Sequence, residues 1–186
     1  MDDQLQSFLE KDETIILKSQ PEPFETLDQT HKTGFYIKAV VTTVICIALI
    51  IGYCSATLGS GNFKIALPIV IAGIGIVVIL STFMDARKIR KQKFYITNQR
   101  LIWENDGLKG IPYKTIDQYK FDTDADHHTS LLIGVDAVHK RSSKWRTLGA
   151  SSVFNNMDTG ICEQAVFYAI SNPSEFKAAF EKQMKA

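Results

Sequence analysis

The sequence predicts a membrane α-helical hairpin joined to a mainly-β soluble domain that one C-terminal helix closes. Residues 39–58 (AVVTTVICIALIIGYCSATL) and 65–84 (IALPIVIAGIGIVVILSTFM) carry no charge, and as helices each would span about 30 Å, the thickness of a hydrocarbon core. Beyond Lys93 short apolar runs alternate with polar residues and are broken by Asn, Asp and Gly, the pattern of strands and turns. A well-punctuated amphipathic segment from Asn172 ends the chain.

Taken in order, residues 1–34 form an N-terminal segment, 35–58 the first transmembrane helix, 59–64 an external turn, 65–84 the second transmembrane helix and 85–186 the soluble domain. The chain of 186 residues has a formal net charge of +1, but the flanks of the hairpin differ. Residues 1–38 hold eight Asp or Glu against four Lys, whereas residues 85–186 hold sixteen Lys or Arg against twelve Asp or Glu. Flanks of opposite sign on one side of an anchor are expected to pack together, the N-terminal segment on the soluble domain. The first apolar run begins behind an acidic stretch, so no secretory signal peptide is read. Cys46 and Cys54 fall inside the first apolar run and Cys162 near the end, which predicts buried thiols rather than a disulfide framework.

The turn between the apolar runs is six residues long, so the helices must be antiparallel neighbours. Ala48, Gly52 and Ala56 recur every four residues and predict a packing stripe on the first helix, with Gly73 and Gly75 its counterpart, or else a face for a second copy of the chain. Pro68 suits the first turn of the second helix. Arg87, Lys88, Arg90, Lys91 and Lys93 come after the second run, while the turn offers only Lys64. Basic residues beside a span are retained in the cytoplasm, so both termini are expected there, in the cell (inner) membrane. Tyr36, Tyr53, Phe63 and Phe83 lie near the ends of the spans, where aromatic rings favour the interface.

In the soluble part Phe94–Thr97 reads as a strand, Asn98 and Gln99 as a break, Leu101–Trp103 as a strand and Asn105–Gly107 as a turn. Further strands are expected at Gln118–Asp122, Leu131–His139, Lys144–Leu148 and Gln164–Ile170, together an antiparallel sheet or barrel. Asn172 as N-cap, Pro173 at the first helical position and Glu175 in capping-box position open a helix with Phe176, Ala179, Phe180 and Met184 on one face.

The stretch KFYITNQRLIWENDG, residues 93–107, resembles the opening hairpin of bacterial pleckstrin-homology-like domains that sit behind two-helix anchors, with Thr97, Asn98, Arg100, Leu101, Ile102 and Gly107 matching its motif. AVFYAISNPSEFKAAFEK, residues 165–182, is similar to that family's last strand and helix, and Glu13–Leu17 with Pro21–Pro23 to its lead-in. The middle, residues 131–164, is longer and less regular than the family's pattern. The resemblance implies a pleckstrin-homology-like barrel closed by the C-terminal helix, acting as a binding or scaffolding module for a protein partner.

DTDADHH, residues 122–128, is the densest set of potential metal ligands. Asp122, Asp124 and Asp126 open a calcium-loop spacing, but His127 stands where that loop needs Gly and Ile133 where it needs Glu. His127 and His128 lack further zinc ligands at defined spacing, Cys162 alone not supplying them, so a solvated hairpin loop is the expectation and a metal-dependent sensor or small membrane enzyme the alternative. No nucleophile with an evident base and no Gly-rich phosphate loop is found, Cys162 with His139 making no dyad, so neither catalysis nor a cofactor is read. The soluble part is only mildly basic and lacks stacking aromatics, which argues against nucleic acid. Arg87, Lys88, Arg90, Lys91 and Lys93, with Lys140, Arg141, Lys144 and Arg146 of a second basic hairpin, are the candidate contacts to anionic lipid headgroups.

Overall fold

The computed structural model describes residues 2–58, 61, 63–104, 107–134, 153–156 and 161–185. A short helix α1 (Asp2–Phe8) and strand β1 (Ile15–Ser19) precede two long helices, α2 (Gln29–Thr57) and α3 (Ala66–Arg90). Then come β2 (Lys93–Thr97), β3 (Arg100–Glu104), β4 (Leu108–Pro112), a 3-10 turn (Tyr113–Thr115), β5 (Tyr119–Thr123), β6 (Thr129–Ile133), β7 (Val153–Asn156), β8 (Ile161–Phe167) and helix α4 (Pro173–Met184).

Both α2 and α3 are long and apolar enough to cross a membrane. Their large side chains point outward, Val40, Ile51, Ile69 and Val77 being 60 % or more exposed, the reverse of a helix buried in a soluble core. The two helices meet along a seam through Thr42 and Cys46 on α2 and Ile71 and Gly75 on α3. A Cβ added at Gly75 would lie 2.7 Å from Cys46 Sγ, so a larger residue there would push the Cys46 side chain or the helices apart. Ala48, Gly52, Ala56 and Gly73 do not take part: all four are exposed, and a Cβ at Gly52 or Gly73 would meet nothing within 4 Å. Helical phase gives the reason, because Ala48 is two residues beyond Cys46 and Gly73 two before Gly75, about 200° around each axis from the seam. At the turn, the Lys64 amide donates to the Tyr53 hydroxyl at 2.8 Å.

Each helix overshoots its apolar run at the same end of the hairpin. Residues 29–38 of α2 and 85–90 of α3 continue as helix beyond it, about 15 Å and 9 Å respectively at the ordinary rise. At the base of this two-helix stalk α2 is tied to the end of the second apolar run by Lys38 Nζ, which donates to Ser81 Oγ at 2.9 Å and Thr82 Oγ1 at 3.0 Å, and by the edge-to-face rings of Phe35 and Phe83.

The strands form two antiparallel four-stranded sheets, in the orders β1-β2-β3-β4 and β5-β6-β8-β7. Among the described residues no hydrogen-bonded closure makes them a barrel; a bridge between Pro21 and Ile170 joins the end of β1 to the chain after β8. Between the sheets lie Phe94, Ile96, Leu101, Trp103, Leu131, Ile133 and Phe167, with Phe176 and Phe180 of α4 filling the end. Alternation along β2 and β3 sends Tyr95 and Ile102 to the other face, where Leu5 of α1 covers them.

The expected strand at Gln118–Asp122 is β5, one residue later, and that at Gln164–Ile170 begins earlier as β8 and ends at Phe167. Of Leu131–His139 the structure gives β6, which stops at Ile133; residues 135–139 and the expected Lys144–Leu148 strand lie outside the described residues. Asn172 does precede α4, but its side chain makes no capping hydrogen bond.

Candidate functional site: the junction between hairpin and sheets

The chain leading into α2 and the end of α3 both dock on the second sheet. Phe24 on the way to α2, Ala86 and Ile89 on α3, and Leu132, Val166, Tyr168 and Ala169 from the sheet side form one buried apolar cluster. Around it the polar groups are paired across elements. Asp28 is the N-cap of α2, its Oδ1 accepting from the His31 amide at 2.8 Å and from His31 Nδ1 at 2.6 Å. His31 is buried against Tyr168, and its Nε2, like Asp28 Oδ2, has no hydrogen-bond partner.

A second cap comes from far along the chain. Asp126, in the turn between β5 and β6, accepts from the Gln29 amide at 3.1 Å, the Thr30 amide at 2.8 Å and Thr30 Oγ1 at 2.6 Å. Burial works to raise its pKa, but the hydrogen bonds from Thr30 and Gln29 outweigh it and hold the carboxyl below its usual range. Asp124 shapes this turn by accepting from the amides of Asp126 at 3.0 Å and His128 at 2.9 Å, and its other oxygen accepts from Tyr168 at 2.9 Å. Burial and the neighbouring Asp124 charge push the Tyr168 phenol well above its ordinary value, so it stays a donor. His127 takes a left-handed φ of 66° at the turn, and His128 Nδ1 lies 2.9 Å from Glu22 Oε1.

The DTDADHH run is therefore not a solvated loop. Three of its members, Asp124, Asp126 and His128, clasp the start of the hairpin, while Asp122 pairs with Lys120 at 3.1 Å. Among the described residues no three His, Cys, Asp or Glu are grouped to hold a metal ion. Asp126→Ala is expected to lose about 1 to 2 kcal/mol of capping energy. Hydrogen exchange at the Gln29 and Thr30 amides should then quicken; unchanged exchange would show that the cap carries no weight.

The basic candidates divide. Arg90 turns into the junction, donating to the Phe24 carbonyl at 2.8 Å and Thr26 Oγ1 at 2.9 Å with its guanidinium over the Phe24 ring. Lys93 lies 3.6 Å from Glu104. Arg87, Lys88 and Lys91 are exposed at the stalk end, and Lys140, Arg141, Lys144 and Arg146 lie outside the described residues.

A second polar centre joins the N-terminal segment to the first sheet, and sequence reasoning gave it no role beyond a motif match. Arg100 donates to Glu13 Oε1 at 3.1 Å and Oε2 at 2.8 Å and to the Phe8 carbonyl at 2.8 Å, and it pairs with Glu10 at 2.9 Å. Thr97 Oγ1 donates to Glu13 at 2.7 Å, and Asn98 Oδ1 accepts from the Thr14 amide at 2.8 Å while its Nδ2 donates to the Asp12 carbonyl at 3.0 Å. Burial opposes charge on Glu13, yet the Arg100, Glu10 and Thr97 hydrogen bonds lower its pKa on balance. The available signal was the contrast of Glu10, Asp12 and Glu13 in an acidic segment with Arg100 in a polar break between strands. The chain matches no family model, no curated protein and no solved structure.

Proposed function

We propose that the protein is a binding or scaffolding module at the cytoplasmic face of the cell membrane, a pleckstrin-homology-like domain on a two-helix anchor that contacts a protein partner and anionic lipid. One observation supports the reading: both helices leave their apolar runs at the same end, where Asp126 of the second sheet caps α2 and Arg90 ties α3 to the chain entering α2, ties that would hold the domain in one orientation relative to a membrane anchor. A fixed orientation presents one chosen face to a partner, which a flexible linker would not. The cations Arg87, Lys88 and Lys91 at that end, against Lys64 alone in the turn, support the cytoplasmic side. A role in binding rather than catalysis rests on the sequence, where no nucleophile stands with an evident base.

Two measurements in intact cells test it. A reporter active only outside the cytoplasm should respond in the turn 59–64 and stay silent at the C-terminus, the reverse overturning the orientation. Photo-crosslinkers at the exposed Lys114, Lys120 and Lys177 should give a discrete heterologous adduct from one face. Adducts with the chain itself would instead make it an oligomerising structural subunit, and no adduct from any face would remove the binding role.

A further inference from the structure

On its outer face the first sheet carries Tyr95 and Ile102, and both are buried, at 4 % and 0 % exposure, because Leu5 of α1 packs over them with Phe8, Leu9, Ile15 and Leu108 around it. Leu5, Phe8 and Leu9 stand at i, i+3 and i+4, the spacing by which an amphipathic helix enters a groove, while Gln4, Gln6 and Ser7 are exposed. We propose that this face is a docking cleft for an acidic amphipathic helix of a partner protein, which α1 occupies in cis as a displaceable cover. This deepens the scaffolding reading above and rests on it for the existence of a protein partner.

Fit and charge both favour that occupant. Helix α1 has seven residues, fewer than the ~12 to 15 that keep a helix folded by itself in water, so its helical form depends on the sheet. It also leaves the cleft underfilled: about 330 Å³ stays open between Leu5 and Phe8 on one wall and Glu104 and Leu108 on the other. A longer helix with the same three anchors would fill that space. Lys18, opposite Tyr95, Lys93, two residues before it, and Arg100, two before Ile102, put three cations on this face against the carboxylate of Glu104. Residues 2–13 answer with five carboxylates against Lys11 alone, so the chemistry the face selects is acidic. The arm is also separable from its anchor. Glu13 holds the reversal to Arg100 with a fully buried side chain, whereas the Glu10 side chain, on the same guanidinium, is 62 % exposed, so an incoming carboxylate can take Glu10's place without breaking the buried pair. Asp12, between them, takes a left-handed φ of 66°, a conformation that costs a residue with a side chain.

The test uses the full chain in neutral phosphatidylcholine nanodiscs and a labelled peptide of residues 1–12 as the probe. Leu5→Asp in the chain disables the arm without touching the core between the sheets. The peptide should then bind saturably, at least about tenfold more tightly than to the wild-type chain, where the tethered arm competes at an effective concentration in the millimolar range. A peptide carrying Leu5→Asp should not bind. With isotope-labelled wild-type chain, excess peptide should quicken exchange of the Leu9 amide, which donates to the Leu5 carbonyl at 3.1 Å, a readout that needs no variant. No saturable binding, equal binding of the two peptides, or equal affinity for the two chains overturns the cleft. So does a wild-type dimer in detergent that Leu5→Asp renders monomeric, since a second copy's arm would then be the occupant. These outcomes are independent of the crosslinks from Lys114, Lys120 and Lys177: adducts there without peptide binding would overturn the cleft while leaving the scaffolding role standing, its partner on another face.

Discussion

Replacing Arg100 with Ala should cost about 3 to 5 kcal/mol of stability, the usual penalty for leaving one member of a buried ion pair alone. The Glu13 side chain has no exposed surface and that of Arg100 only 14 %, so water cannot replace the lost partner. The guanidinium is also pinned along its length: it lies over the Phe8 ring, and a Cβ on Gly110 would come within 2.7 Å of its Cδ. Loss of Arg100 therefore frees residues 8–13 and uncovers Tyr95 and Ile102 beneath α1. Denaturant unfolding of the purified chain reads the effect, with Lys120→Ala, an exposed pair, as the reference at about 0 to 1 kcal/mol. Similar losses for the two variants would mean that the clamp is decorative. The pH dependence has a definite sign. Glu13 has a lower pKa folded than unfolded, so its contribution is present above the unfolded carboxylate range and is lost as pH falls through the folded value; the Arg100→Ala protein should show less of this acid-side loss.

Phe180→Ala should cost a comparable 3 to 5 kcal/mol, roughly the penalty for emptying a packed aromatic site. The ring is fully buried and meets Tyr119 at 5.0 Å, Tyr113 at 6.0 Å and Phe121 at 6.0 Å, all edge-on. Tyr113 cannot swing in to fill the hole without giving up the hydrogen bond its hydroxyl donates to the Thr97 carbonyl at 2.9 Å. Lys177 is exposed on α4, makes a 3.9 Å pair with Glu181 and lies over the Phe121 ring at the rim of the core; Lys177→Ala should be nearly silent. Equal, small shifts in thermal unfolding for both substitutions would contradict the placement of α4 as the end of the core.

The features legible in sequence were those with long or strong periodicity. The two apolar runs, the β2–β3 hairpin and the Phe176/Phe180 face of α4 each repeat a spacing over enough residues to be read without tertiary information. Among the strands that escaped, β4 is the one whose residues speak against its state. Strand β4, Leu-Lys-Gly-Ile-Pro, carries a glycine that exists to admit Arg100 and a proline at its end, while β1 comes after an acidic segment and gains its strand only by pairing with β2. The candidate site was misread for a related reason. Asp124, Asp126 and His128 look like a polar loop because their partners, Thr30, Tyr168 and Glu22, are 44 to 106 positions away, and a local pattern holds no record of such distances. The stripe missed the α2–α3 seam on phase, since small residues every four positions define a face without saying which way it points.

The stalk has a mechanical consequence. Because helix runs unbroken from the seam at Gly75 to the cluster at Ile89, the domain's azimuth is geared to the hairpin: each helical residue between them turns the next by about 100° and lifts it about 1.5 Å. Rotation or tilt of the two long helices would thus be delivered to the sheets as a rigid-body swing, with no joint in which to dissipate. On the proposed membrane reading, a bilayer that grows thinner would tilt an anchor that has become too long for it, and the same tilt would carry the basic end of the stalk with it. The molecule is built like a weathervane on a stiff shaft, its heading set by the medium that holds the shaft.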